Sequence, residues 1–130
     1  MLIDTSGFLC LYESGEPFHR SAVSLYDIAT SRLTTNYVLA EFTALAQIRG
    51  IPREQIIEFS LRVLVDRGIE IVWVDERLHM EAVELIADRP DKSYSLCDAA
   101  SFCVMRDRSI AEALTTDKHF EQEGFVRLLR

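Results

Sequence analysis

Four acidic side chains occupy positions at which carboxylates are chemically informative. They are Asp4, Glu41, Asp98 and Asp117. The first follows the apolar run Met1–Ile3 and the last follows Ala113–Thr116, whereas the other two lie in segments with helical spacing of apolar residues. If the four converge, each charge raises the pKa of its neighbours, and a bound Mg²⁺ or Mn²⁺ relieves that repulsion. Such a site suits metal-assisted hydrolysis of phosphodiester bonds.

Two of these acids lie in apolar surroundings. Glu41 shares a helix face with Val38 and Leu45, so we expect it to face the sheet or its edge rather than open water. Asp98 lies in a helix that is apolar on every side, and an unpaired charge buried there would be costly. Both acids therefore call for a cation, hydrogen bonds or a raised pKa.

Each acid also has an ordinary structural explanation. Asp4 and Asp117 could begin a turn or helix after a strand, and Glu41 could pair with an arginine at a helix boundary. The segment Ser95–Asp98 has the spacing of a capping box with Asp in the acidic position. A capped helix start is also a rigid mount for a metal ligand, so the two explanations of Asp98 are compatible.

Short apolar segments alternate with amphipathic ones along the chain. Strands are predicted at 1–3, 32–35, 69–74, 113–116 and 125–129, and helices at 18–30, 36–49, 52–67, 76–89 and 96–105. Asn36 and Asp75 are the expected caps of their helices, and Trp73 is expected in the core. Alternation of this kind predicts an α/β fold with a parallel sheet covered on both faces. Ligands of such sheets bind outside the carboxyl ends of the strands, where Asp4 and Asp117 lie.

Length and composition favour one cytoplasmic domain over residues 1–130. Hydrophobic residues make up 48% of the 130, and no apolar run is long enough to span a membrane. The start of the chain has no signal-peptide pattern, and three cysteines without metal spacing suit a reducing compartment. The net charge of −7 argues mildly against nucleic-acid binding, but gathered acids that hold a cation would also produce it.

Four strings, in order, contain the four acids. They are Asp4-Thr5-Ser6, the segment Thr34 to Glu41, Ser93 to Asp98, and Leu114 to Phe120. In their order and spacing they resemble the PIN-domain family of metal-dependent ribonucleases, and most closely the small stand-alone members that include VapC toxins. The resemblance covers nearly the whole chain.

The resemblance implies a three-layer α/β/α sandwich with a mainly parallel sheet of four or five strands. It implies that Asp4 and Asp98 are the main ligands of Mg²⁺ or Mn²⁺, and that Glu41 and Asp117 complete the catalytic pocket. It further implies an RNA substrate, a homodimer and, for toxin members, a small antitoxin protein that occupies the site. A basic antitoxin segment would be attracted by the acidic pocket.

Weaker candidates for substrate contact surround the acids. Ser6 and Thr116 stand where the family often has hydroxyl groups, although helix capping explains them equally well. Lys118 and His119 follow Asp117 closely enough to reach a phosphate. Further bases that could hold RNA, each also explicable as an ordinary surface charge, are Arg20, Arg32, Arg49 and Lys92.

Other functions remain open at this stage. A phosphatase with an aspartyl nucleophile needs a second Asp two residues after the first, where this chain has Ser6. A phospho-accepting receiver domain needs paired acids after its first strand, and these are absent. A PIN-like module that only scaffolds a complex, and a nuclease that processes housekeeping RNA without a toxin role, are the remaining alternatives.

Overall fold

The computed structural model describes all 130 residues, in which five strands alternate with seven helices. The strands are β1 (Leu2–Ile3), β2 (Leu33–Thr35), β3 (Glu70–Val72), β4 (Glu112–Leu114) and β5 (Val126–Arg127). The helices are α1 (Thr5–Tyr12), α2 (His19–Ile28), α3 (Asn36–Ile48), α4 (Arg53–Val65), α5 (Glu76–Ala87), α6 (Leu96–Asp107) and α7 (His119–Gln122). None of the helices is both long and apolar enough to cross a membrane.

All five strands are parallel, in the order β3-β2-β1-β4-β5. Leu2 of the central strand pairs with Leu33 on one side and with Ala113 on the other. The chain adds strands outward from β1 to β3 and then returns to place β4 on the opposite side of β1. The order therefore reverses between β1 and β4, and a parallel sheet opens a crevice at such a reversal.

Helices cover both faces of the sheet because neighbouring residues of a strand point to opposite sides. Leu2 and Ala113 belong to a core shared with α5 and α6. Ile3 and Leu114 belong to a second core, shared with α1 to α4. The expected three-layer α/β/α arrangement with a parallel sheet is thus confirmed.

Helix α1 begins immediately after β1, in a stretch for which the apolar pattern predicted no helix. Its Gly7 packs so closely on β4 that an added Cβ would lie 2.1 Å from the carbonyl oxygen of Leu114. Only glycine permits this approach. The contact fixes the start of α1 against the end of β4.

Two expectations near β3 are wrong. Asn36 does not cap α3, because Thr35 accepts the hydrogen bond from the Val38 amide, while Asn36 Oδ1 accepts from the Val74 amide at 2.6 Å. Trp73 is 63% exposed rather than buried. It follows the last residue of an edge strand, where no further strand covers it.

Candidate active site

A cavity of about 400 Å³ opens at the carboxyl ends of β1 and β4. Three of the four acids line it, and Glu16 and Arg49 lie at its side. Asp4 stands between β1 and α1, and Asp117 stands between β4 and α7, so the strand order brings these two together. Glu41 reaches the cavity from the first half of α3.

The four acids form two adjoining groups of potential ligand atoms. Asp4 and Glu41 lie with Cys97 in one group, and Asp98 and Asp117 lie with His119 in the other. Within each group the ligand atoms are all within 4.8 Å of one another. The charge of Asp98, a member of the second group, raises the pKa of Asp4 in the first, so the two groups lie close enough to interact.

Asp4 is the most deeply buried of the acids, with 4% of its surface exposed. Its Oδ2 accepts a hydrogen bond from Thr115 Oγ1 at 2.8 Å, whereas its Oδ1 is buried without any partner. Burial raises the pKa of Asp4 to about 7, although the Thr115 hydrogen bond and the nearby Thr5 amide both lower it. The unpartnered oxygen is a buried acceptor that a cation would satisfy.

Two hydroxyl groups, one in α1 and one just after β4, form a chain of hydrogen bonds that leads to Asp4. The Thr116 amide donates to Ser6 Oγ at 2.9 Å, and Ser6 Oγ lies 3.1 Å from Thr115 Oγ1. Because the single proton of Thr115 goes to Asp4, the proton between the two hydroxyls belongs to Ser6. Thr115 also accepts from the Asp117 amide at 3.0 Å. Sequence reasoning singled out Thr116 and missed Thr115, although both stand in the same Thr-Thr-Asp string.

Asp98 is held by the first turn of α6. Its Oδ2 accepts from the Ser95 amide at 3.0 Å, and its own amide donates to Ser95 Oγ at 3.0 Å, so the expected capping box is present. Burial raises the pKa of Asp98 while the hydrogen bonds from Ser95 lower it, and the net direction is upward. The helix start thus fixes the carboxylate in a desolvated position.

His119 stands between two of the acids. Its Nδ1 lies 3.2 Å from Asp117 Oδ1 and 3.4 Å from Asp98 Oδ2, and its Nε2 lies 3.1 Å from Ser93 Oγ. Asp117 Oδ1 also accepts from the His119 amide at 2.9 Å. The imidazole therefore belongs to the acidic cluster itself, and the edge of the Tyr94 ring packs against it.

Glu41 is exposed, contrary to the expectation from its apolar neighbours on α3. The helix turns this position toward the open cavity, while Val38 and Phe42 pack into the core. Cys97 lies beside it as a buried thiol. Burial raises the pKa of Cys97, and the charges of the neighbouring carboxylates raise it further.

The candidate bases separate into two sets. Arg49 lines the cavity and pairs with Glu16 at 2.6 Å, and exposed Lys118 follows Asp117 directly. Arg32 directly precedes β2, so it lies at the amino ends of the parallel strands, away from the cavity. There it donates to the carbonyl oxygen of Tyr26. The structure thus places Arg49 at the acidic cavity and separates Arg32 from it.

The donor set fits a hard divalent cation. Mg²⁺ and Mn²⁺ take carboxylate oxygens and keep several waters, and the cavity offers such oxygens beside open space. Asp4 provides a second observation in favour of a cation, because its buried Oδ1 accepts no hydrogen bond within the protein. A cation would satisfy that oxygen and offset the repulsion among the acids.

Known proteins resemble this chain over nearly its full length. The family model described as PIN domain matches residues 1–125. The 23S rRNA-specific endonuclease VapC20, from two strains of Mycobacterium tuberculosis, is 30% identical over 129 residues, which cover 98% of this chain and 97% of the relative. The crystal structure of Mycobacterium tuberculosis VapC20, described as a sarcin-ricin loop cleaving toxin, is similar with a TM-score of 0.90 at 27% identity. That match covers 99% of this chain and 98% of the other.

Proposed function

The chain belongs to the PIN-domain family, and on this basis we propose that it is a divalent-metal-dependent endoribonuclease acting at the acidic cavity. The observation that carries the proposal is the buried, unpartnered Oδ1 of Asp4 at the point where the strand order reverses. A stabilising structural carboxylate would be hydrogen-bonded on both oxygens, because burying an unpaired acceptor costs free energy. Here the fold leaves one oxygen free beside three further acids.

In this proposal Asp4 and Asp98 are the main ligands of Mg²⁺ or Mn²⁺, and Glu41 and Asp117 complete the site. When bound, the cation would polarise the scissile phosphodiester and lower the pKa of a nearby water. Thr115 and the capping box around Asp98 hold their carboxylates in fixed positions before substrate arrives. That preorganisation lowers the cost of assembling the site during the reaction.

Basic groups at the cavity are suited to hold the RNA backbone. Arg49 lines the cavity, exposed Lys118 follows the cavity residue Asp117 in the chain, and His119 stands beside Asp117. Ser6 and Thr116 act mainly through the hydrogen bond that joins α1 to the end of β4. The protein carries a net charge of −7, so we expect weak binding of RNA in the absence of a cation.

The similarity to VapC20 supports a more specific substrate and setting. We propose that 23S rRNA, the substrate in the name of that relative, is the first RNA to test. We further propose that residues 1–130 form a single nuclease domain of a cytoplasmic toxin. The toxin would act as a homodimer and be held inactive by a small antitoxin protein.

A cleavage assay tests the proposal directly. Purified protein is incubated with ribosomes, isolated 23S rRNA and a transfer RNA panel in Mg²⁺, in Mn²⁺ and in EDTA. We expect discrete cuts that require the cation and that are abolished in Asp4→Asn and Asp98→Asn, both checked for folding by circular dichroism. Asp75→Asn, at the N-cap of α5, is the matched control and should cut normally.

Three results would each count against a part of this proposal. Equal cleavage in EDTA would show that the reaction does not require a divalent cation. Full activity of both folded variants would show that the acidic cavity is not the active site. Absence of cutting on every RNA, by folded protein that binds metal, would favour the scaffold function.

A further inference from the structure

Cys97 brings a sulfur atom into the acidic cluster. Its Sγ and one carboxylate oxygen each from Asp4 and Glu41 lie within 4.8 Å of one another. Asp4 is 4% exposed and its Oδ1 receives no hydrogen bond, so one of these three groups has an oxygen without a partner. Glu41 is exposed, which leaves the group open to solvent on one side.

Two carboxylate oxygens and one thiol form a different kind of ligand set from four carboxylates. Mg²⁺ prefers oxygen ligands alone, whereas Zn²⁺ binds carboxylate oxygen and thiolate sulfur together. Three protein ligands with one side open to water is also the usual arrangement of a zinc site that is not purely structural. The thiol proton would pass to solvent as the sulfur–metal bond forms.

We propose that Asp4, Glu41 and Cys97 form a thiolate-containing site for Zn²⁺, which competes with Mg²⁺ or Mn²⁺ for Asp4. The competition rests on the proposed function, because that function uses Asp4 as a ligand. The zinc site itself rests only on the three side chains. Zn²⁺ bound there would occupy the buried oxygen of Asp4 and so act as an inhibitor.

The other two cysteines provide matched controls. Cys10 is buried and lines the same cavity, but it is not part of the ligand group. Cys103 is buried in the core shared with α5 and α6. A sulfur signal from the proposed site should therefore depend on Cys97 and be unaffected by replacing either of the others.

The test uses Co²⁺ as a spectroscopic probe for Zn²⁺. Metal-free protein is titrated with Co²⁺, and the near-ultraviolet thiolate-to-cobalt charge-transfer band is recorded. We expect the band in the wild type, in Cys10→Ala and in Cys103→Ala, its loss in Cys97→Ser, and its displacement by added Zn²⁺. Competition titration should show Zn²⁺ affinity about tenfold or more lower in Cys97→Ser, with Mg²⁺ affinity changed by less than about twofold.

The outcomes separate the zinc site from the nuclease. No band in the wild type, or a band that survives in Cys97→Ser, overturns the proposal, as does a band lost only in Cys10→Ala. Metal-dependent RNA cleavage without the band would overturn the zinc site and leave the nuclease standing. The band without any cleavage would support the zinc site and count against the proposed function.

Discussion

Replacing Asp4 by Asn should stabilise the cation-free protein, and more so as the pH rises. The pKa of Asp4 is about 7 in the fold against 3.8 for the free side chain. Between these values the folded state holds a proton that the unfolded state has lost, so the stability of the wild type falls as the pH rises through this window. Asn does not titrate, and its amide oxygen can still accept the hydrogen bond from Thr115.

The size of the effect follows from the two pKa values. Each tenfold change in the acid equilibrium is worth about 1.36 kcal/mol, so charging Asp4 in the fold costs about 4 kcal/mol above pH 7. About 2 kcal/mol of this should develop between pH 5.5 and pH 8. That range stays above the sequence pI of 4.9, where the protein is least soluble.

Urea unfolding in EDTA, followed by far-ultraviolet circular dichroism at both pH values, measures the difference. Asp27→Asn removes the same charge from an exposed position on α2 and serves as the control. We expect the free energy of unfolding of Asp4→Asn to exceed that of the wild type by a margin that grows with pH. The control should stay close to the wild type throughout. Adding Mn²⁺ should reduce this difference in the free energy of unfolding, because the cation binds the Asp4 carboxylate and so stabilises the wild type more than Asp4→Asn.

A margin that is the same at pH 5.5 and pH 8 would refute the reasoning, since the titration of Asp4 would then contribute nothing. A variant less stable than the wild type at pH 8 would refute it equally. In that case the buried carboxylate would have to be better satisfied in the fold than its unpartnered oxygen indicates.

Three further substitutions test how the fold supports the site, each measured by urea unfolding at pH 7. Gly7→Ala should lower the free energy of unfolding by about 3 kcal/mol or more, because the added Cβ meets the Leu114 carbonyl and α1 must shift. The same shift should lower RNA cleavage. Ser95→Ala should cost about 1 kcal/mol through loss of the cap on α6, and weaker Mn²⁺ binding would show that the cap also holds Asp98. Glu123→Gln should cost about 1–3 kcal/mol, because this buried carboxylate accepts from two arginines and a tyrosine, and cleavage should be retained.

The features that depend on chain order could be predicted from the sequence. Short apolar strands ending in Asp4 and Asp117 gave a parallel sheet with both acids at its carboxyl edge, and the spacing from Ser95 to Asp98 gave the capping box. These follow from local patterns and from the way parallel strands align. The family resemblance then joined Glu41 to the same site.

The features that depend on side-chain direction could not be predicted. The exposure of Glu41 is decided by where α3 meets the cavity, and its apolar neighbours on the helix do not reveal this. Thr115 rather than Thr116 contacts Asp4, and β4 ends at Leu114, two residues before the end of the strand predicted at 113–116. Cys97 joins the acids because the fold brings the start of α6 beside Asp4 and Glu41, which are far from it in sequence.

The chain of hydroxyl groups that ends on Asp4 determines which oxygen of its carboxylate can take up a proton or a cation. Oδ2 always receives the proton of Thr115, so a proton taken up by Asp4 must go to Oδ1. Oδ1 is also the oxygen left for a cation. Proton and metal therefore exclude each other at one atom, and a cation that binds below about pH 7 displaces the proton held there. Acidification would empty the cavity of its cation while leaving every hydrogen bond of the chain in place.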